Sequence, residues 1–181
     1  VMTFPLLVGI DGKEKMSKSL GNYIGLNDSP FDKFEKSMKI PDNVLKQYFE
    51  LVTDLETSEI EDIMSKDIRE AHIKFAKELI KMYNPTTDFN SIKERYLKIA
   101  NGGIPTDINE VIIGESKINI CDLLLKIGFS SSKSEAKRMI QGKGVKVDSK
   151  VIEDINEIIE IEKEKVIQFG KNKFLKIKTN N

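Results

Sequence analysis

The sequence predicts an α+β protein of about two folding units, and three observations predict it. An apolar N-terminal stretch runs straight into a loop punctuated by Gly9, Gly12, Gly21 and Gly25. Apolar residues then recur at helical spacing across residues 30–113. Beyond residue 116 two short helical patterns give way to alternation with a period near two.

Residues 1–29 read as a strand followed by a long loop. Phe4 to Val8 is apolar, and Val1 to Ile10 lacks the basic leader and small-residue cleavage site of a signal peptide. Nothing in this segment is large enough to bury a core alone, so its packing partner is expected outside the sequence and the segment is expected to be mobile. The chain begins with Val1, and a piece of a longer protein is the expectation, with a processed terminus as the alternative.

Helices are expected next. Ser29 offers a cap and Pro30 a first-turn proline, and Phe31, Phe34 and Met38 form one stripe. Pro41 opens a second helix with Val44, Leu45, Tyr48, Phe49 and Val52 on its apolar face. Ser58 with Glu61 fits a capping box before Ile60, Ile63 and Met64. Ile68 to Tyr83 carries Phe75, Ala76, Leu79, Ile80 and Tyr83 on one side, and Asn84-Pro85 ends it. A fifth helix over 90–100 stops at Asn101-Gly102-Gly103. Gly114 to Ser116 reads as a linker. Ile120 to Ile127 forms a short helix ended by Gly128, and Ser132 with Glu135 caps another that Gly142 closes. Val145 and Val147 then alternate with lysines, Asp148-Ser149-Lys150 reads as a turn, and Ile158 to Ile161 is a strand candidate. Val166 to Phe169 and Phe174 to Ile177 flank a four-residue hairpin loop, Gly170 to Lys173.

Composition excludes several classes. Hydrophobic residues are 39% and charged residues 32%, which is the balance of a globular chain rather than a disordered one. No apolar run approaches the roughly 20 residues that a spanning helix needs, so no membrane partner is expected. Cys121 is the single cysteine. It allows no internal disulfide and fits a reducing cytoplasm, and it lies in an apolar helical pattern where a packed thiol is expected. No ligand cluster of structural-metal type is present, so none is expected.

A formal net charge of zero hides a split. Residues 1–116 hold 15 Lys+Arg against 20 Asp+Glu, and residues 117–181 hold 14 against 9. A polyanion would meet the C-terminal third first.

The most informative segment is Lys15-Met16-Ser17-Lys18-Ser19, followed by Leu20-Gly21-Asn22. Two lysines three residues apart, in a loop of serines and glycines, can bring two ammonium groups onto one anionic group such as a triphosphate. Adenylate formation expels pyrophosphate, and preorganised cations stabilise the charge that builds on it. Lysine suits that work as a mobile point charge on a long stem. The bland alternative is a solvated basic loop.

The second informative segment is Ser132-Lys133-Ser134-Glu135-Ala136-Lys137-Arg138 on a helix, followed by Ile140-Gln141-Gly142-Lys143-Gly144-Val145-Lys146-Val147. Lys133 and Lys137 share a helix face, Arg138 borders it, and Lys143 and Lys146 follow just past the turn. The expectation is a compact basic ridge for RNA phosphates. Glu153, Asp154, Glu157, Glu160, Glu162 and Glu164 are expected to face away from it.

The octapeptide Lys15 to Asn22 resembles the signature loop of class I aminoacyl-tRNA synthetases. Residues 117–181 resemble the small RNA-binding domain named after ribosomal small-subunit protein four (the S-four domain). The two together, with Val8-Gly9-Ile10-Asp11-Gly12-Lys13-Glu14, Lys39-Ile40-Pro41-Asp42 and Tyr48-Phe49, resemble the C-terminal part of the bacterial-type tyrosyl-tRNA synthetase family. The likeness is strongest at 3–55 and 117–150 and looser at 84–113. It implies residues 1–29 as the end of a class I catalytic domain, 30–114 as an α-helical anticodon-binding domain and 115–181 as an S-four-like domain.

By the same resemblance, Lys15 and Lys18 would contact the ATP phosphates in the transition state. Ser17 and Ser19 would support loop or phosphates, and Met16 would anchor the loop by packing. Lys133, Lys137, Arg138, Lys143 and Lys146 would meet RNA. The implied substrates are ATP with Mg2+, tyrosine and tRNA(Tyr), in the cytoplasm. The family dimerises through its catalytic domain, so this stretch alone is expected to be monomeric.

The sequence lacks the His-x-Gly-His element of class I enzymes. Its single histidine, His72, is expected at a helix surface. Without a βαβ unit or a tyrosine pocket, this stretch alone is expected to be inactive. The competing readings are a non-enzymatic RNA-binding protein with an S-four domain, another class I synthetase such as a tryptophanyl enzyme, and an interaction module that binds protein through its acidic helices.

Overall fold

In the computed structural model, residues 1, 3 and 5–179 are described. They form an α+β protein that divides into two compact units, 1–97 and 98–181.

The first unit is helical: α1 (Pro30–Ser37), α2 (Asp42–Val52), α3 (Thr57–Met64), α4 (Ile68–Tyr83) and most of α5 (Phe89–Ala100). Local chemistry sets the helix starts. Ser29 caps α1 by accepting from the Asp32 N–H, with Pro30 in the first turn, and Asp67 caps α4 by accepting from Glu70. The cap of α3 is a correction. Glu56, not Ser58, sits at the N-cap, and Glu59 completes the box, so the helix starts two residues earlier than the serine suggests.

Two apolar clusters hold this unit. Ile40, Leu45, Tyr48, Phe49, Ile60, Ala71, Phe75 and Leu79 form one, with Phe75 edge-on to both Tyr48 and Phe49. Phe34, Ile73, Ala76 and Ile80 form the other, under Phe89, Ile92 and Tyr96 of α5.

The N-terminal segment differs from expectation in two respects. Among its described residues there is no extended strand, and the Phe4 end of the predicted strand lies outside them. The segment instead folds back on itself. Gly9 N–H donates to Glu14 O (2.8 Å), Met16 N–H donates to Leu7 O (2.8 Å), and Val8 bridges Lys15 antiparallel. Its packing partner lies inside the chain, since Leu7, Ile10, Met16 and Ile24 rest on the α2–α4 cluster.

The second unit carries β1 (Glu110–Ile113), β2 (Lys117–Asn119), α6 (Ile120–Lys126), α7 (Lys133–Gln141), β3 (Val145–Val147), β4 (Lys150–Val151), β5 (Ile158–Glu160), β6 (Lys165–Phe169) and β7 (Lys173–Thr179). Five strands order as β1-β7-β6-β3-β4, with β1 parallel to β7 and the other pairs antiparallel, and β2 pairs β5 separately. One core fills the unit: Ile120, Leu123 and Leu124 of α6 and Ala136 and Ile140 of α7 pack on Val145, Val147, Ile167 and Ile177 of the sheet. Asp148 and Ser149, both at positive φ, make the tight turn between β3 and β4. The loop between β6 and β7 is Gly170 to Asn172, one residue shorter than expected. Cys121 is buried, its Sγ 3.4 Å from Ile155 O, and burial pushes the thiol up, as a packed cysteine requires.

Candidate nucleotide-binding loop and RNA-binding surface

The lysine–serine loop hangs from one buried side chain that sequence reasoning missed. Asn22 is 5% exposed, and its Oδ1 accepts the Ser17 N–H at 2.8 Å. Its Nδ2 donates to Asp11 Oδ2 (2.8 Å) and Lys15 O (3.1 Å), and its own carbonyl accepts the Ile10 N–H (2.9 Å). Both donor hydrogens of a buried amide, and one acceptor site on its oxygen, are thereby used within one loop. Gly9 makes the room, because a Cβ there would sit 2.2 Å from Asn22 Nδ2. The signal for this latch was the asparagine closing the octapeptide.

Asp11 is the other half of the latch. Its Oδ1 also accepts the Lys13 and Glu14 N–H groups, at 3.0 and 3.2 Å. The Lys13 bond and then the Asn22 bond hold its carboxyl below the usual range. Tyr48 of α2 fastens the base of the fold-back, donating its hydroxyl to Val8 O at 2.5 Å. Burial, followed by the nearby Asp11 charge, pushes the Tyr48 phenol up to about 12.

Met16 rests on the core, half-buried, and fixes the loop's root. Past it, Ser17 and Ser19 join hydroxyls at 2.9 Å, and Lys18 O accepts from the Gly21 N–H at the turn, where Gly21 takes φ +67°. Lys15 and Lys18 are both exposed, and neither forms an ion pair among the described residues. Two ammonium groups are thus available to an anion from a loop pinned at one end and hinged by glycine at the other.

His72 is 5% exposed and not a surface residue, which corrects the expectation for it. Its Nδ1 meets Ser37 O at 3.0 Å and its Nε2 meets Asp42 Oδ1 at 2.9 Å, so it ties α4 to the end of α1 and the start of α2.

In the second unit, α7 carries the predicted ridge, but its cations do not form one continuous free row. Lys133 pairs with Asp122 of α6 at 2.6 Å, and Lys143 pairs with Glu153 at 2.8 Å. Lys143 also adopts φ +56°, so it, and not Gly142, supplies the left-handed residue beyond the helix. Lys146 is half-buried on β3. Lys137 and Arg138 are exposed and form no ion pair among the described residues. Ser132 caps the helix by accepting from Glu135, but Glu135 turns its carboxylate to the N–H and hydroxyl of Ser131 (2.7 Å each), so the box is not reciprocal. The acidic stretch expected to face away supplies one partner, Glu153, to the ridge itself.

Among the described residues no group of His, Cys, Asp and Glu side chains is placed to hold a metal ion, and no helix is long and apolar enough to cross a membrane.

Sequence comparison matches the two stretches that hold these residues to known families. Residues 1–88, which hold the whole lysine–serine loop and its latch, match the tRNA synthetases class I (W and Y). By that stretch the chain is similar to the class I tRNA synthetases. Residues 122–165, which hold α7 and strands β3 and β4 of the sheet, match the S4 domain. Curated relatives span nearly the whole chain: a tyrosine–tRNA ligase of Deinococcus radiodurans is 37% identical over 186 residues, covering 98% of this chain and 45% of that protein. A tyrosine–tRNA ligase of Thermotoga maritima is 39% identical over 184 residues, covering 98% and 46%. Tyrosine–tRNA ligase 2 of Clostridium acetobutylicum is 42% identical over 183 residues, covering 96% and 44%. The chain therefore spans a little under half the length of the curated relatives it matches.

Proposed function

We propose that this chain is a class I tRNA synthetase fragment, the C-terminal part of a tyrosine–tRNA ligase. The whole enzyme would activate tyrosine with ATP and pass it to tRNA(Tyr). In this reading residues 1–29 close a catalytic domain, the helices that follow contact the tRNA, and the S4-containing unit grips its backbone. The observation that carries the reading is the joining of two anion-seeking sites in one chain: a latched loop with two lysines, and a separate unit with Lys137 and Arg138 on α7, all without an ion pair among the described residues.

The chemistry follows from the loop. ATP arrives with its own Mg2+, and Lys15 and Lys18 are the groups that would meet its phosphates. As the bond from the α-phosphate to pyrophosphate breaks, charge grows on the leaving group, and two ammonium groups already in place stabilise it. Gly21 lets the tip move while Asn22 and Met16 keep the root fixed. Lys18→Ala in an enzyme with a complete catalytic domain is expected to lower kcat for adenylate formation by about 10²-fold, with the KM for tyrosine little changed. An unchanged kcat would sink the assignment. This stretch alone is expected to give no tyrosine-dependent pyrophosphate exchange.

Cytoplasmic location and assembly as a homodimer through the catalytic domain belong to the same proposal.

A further inference from the structure

The basic surface of the second unit has a second edge outside the stretch that matches the S4 domain. The β6–β7 loop is docked against the turn that follows α7: Gly170 N–H donates to Gly144 O at 2.7 Å. Both meet on the same side chain, since Met139 Cε lies 2.6 Å from where a Cβ on Gly144 would stand and 3.9 Å from the corresponding point on Gly170. Met139 is the neighbour of Arg138 on α7. The docking brings Lys171 and Lys173, separated from α7 by about thirty residues of sequence, to the Arg138 side of that helix. The fixed position of Lys173 is independently visible, because its Nζ stands 5.6 Å from the centroid of the Phe169 ring, which is itself packed against Phe129. Lys173 and Arg138 also both act on Glu135, helping the Ser131 bonds hold its carboxyl low.

Helix geometry separates the two edges. At about 100° per residue, Lys133 and Lys137 lie on one flank of α7 and Arg138 on the other, with Ser134 and Gln141 exposed on the crest between them. Lys137, Arg138, Lys171 and Lys173 form no ion pair among the described residues, whereas Lys133 and Lys143 do. The free positive charge is thus split between the two flanks of one helix.

What this surface lacks is equally specific. The aromatic residues of the unit are Phe129, Phe169 and Phe174, and none is exposed. Recognition of unstacked bases rests on exposed aromatic platforms, whereas duplex RNA is held by cations and polar groups along its sugar–phosphate backbone.

Resting on the RNA-binding reading above, we propose that Lys171 of the β6–β7 loop and Lys173 at the start of β7 join Arg138 as a second phosphate-binding edge, opposite Lys137, and that the two edges grip the backbone of an RNA duplex rather than unstacked bases.

The test uses the whole chain and three RNAs: a tRNA(Tyr) transcript, an RNA stem-loop, and a single strand of the stem-loop's length that cannot pair. Lys171→Ala/Lys173→Ala is compared with Lys137→Ala/Arg138→Ala, and with Lys150→Ala/Lys163→Ala as a control of equal charge change. All six positions are exposed, so thermal melts are expected to match the parent. The loop variant is expected to bind the stem-loop and the transcript about tenfold more weakly than the control near 0.1 M salt, with a salt slope shallower by about 1.4 to 1.8. The single strand is expected to bind the parent more weakly than the stem-loop. If the Lys137/Arg138 variant weakens binding and the Lys171/Lys173 variant matches the control, the second edge is overturned while the RNA reading stands. If both bind like the control, the RNA reading itself fails. A single strand bound as tightly as the stem-loop would overturn the duplex assignment.

Discussion

A single amide sets the geometry of the phosphate-seeking loop. The Asn22 side chain replaces water for two backbone groups and one carboxylate oxygen, so its loss leaves the Ser17 N–H and Asp11 Oδ2 without their protein partners. Asn22→Ala is expected to cost about 1–3 kcal/mol in urea unfolding, the usual penalty when buried polar groups lose a partner. Gly9→Ala is expected to be at least as damaging, because its Cβ meets both the Asn22 side chain and, at 2.7 Å, the Asn22 carbonyl of the main chain. Lys143 shows the opposite economy. It holds a left-handed conformation that disfavours any residue with a Cβ, and Glu153 returns only an exposed ion pair. Lys143→Gly is therefore expected to raise stability by about 1 kcal/mol in the same unfolding measurement while weakening RNA binding. A loss of stability would mean that the Glu153 pair outweighs the backbone strain.

At the level of elements, what the sequence disclosed depended on how local the determining chemistry was. The start of α1 was legible because Ser29 and Pro30 act within one turn, and the span of α4 because its apolar stripe runs from Ile68 to Tyr83 and Asn84 ends it. Strands β1 and β2 were not legible. Each has three or four residues, and β1 exists only because β7 offers it a parallel edge from far along the chain. The lysine–serine loop could be read as a string, since its residues are consecutive. Its latch could not, because Asp11 and Asn22 meet only after the chain folds back. The basic ridge was half legible for the same reason: helical spacing puts Lys133 and Lys137 on one face, but nothing local says that Asp122 and Glu153 will occupy two of the cations. Lys33 illustrates the non-local case most sharply. It lies in α1, buried at 1% exposure, and its Nζ donates to Asp28 O (2.6 Å) and Asn84 Oδ1 (2.9 Å). It joins the segment after the loop to the end of α4. Lys33→Met keeps the stem but strands both oxygens, and an expected loss of about 1–3 kcal/mol follows. Retention of parental stability would show that water replaces the ammonium there.

The molecule as a whole is built on cores that share no residue. Every member of the large C-terminal cluster comes from residues 113–177, and the two N-terminal clusters and the side chains packed on them come from residues 7–96. Hydrophobic burial is the main term holding each unit, so each has its own source of stability. Phe34 is fully buried in the first unit, and Leu124 is fully buried in the second. Phe34→Ala and Leu124→Ala should each cost about 2–5 kcal/mol, from lost transfer energy and the cavity left behind. With separate cores the two losses fall on separate events. Calorimetry of the parent is expected to resolve into two transitions, with Phe34→Ala lowering one and Leu124→Ala the other. The functional corollary is specific. The phosphate-seeking loop rests on the first core through Leu7, Met16 and Ile24, while α7 and the β6–β7 loop rest on the second. At a temperature where Phe34→Ala has melted only its own unit, binding of an RNA stem-loop through residues 98–181 should persist with the parent's salt slope. A single transition lowered by both variants would show that the two units unfold as one cooperative block.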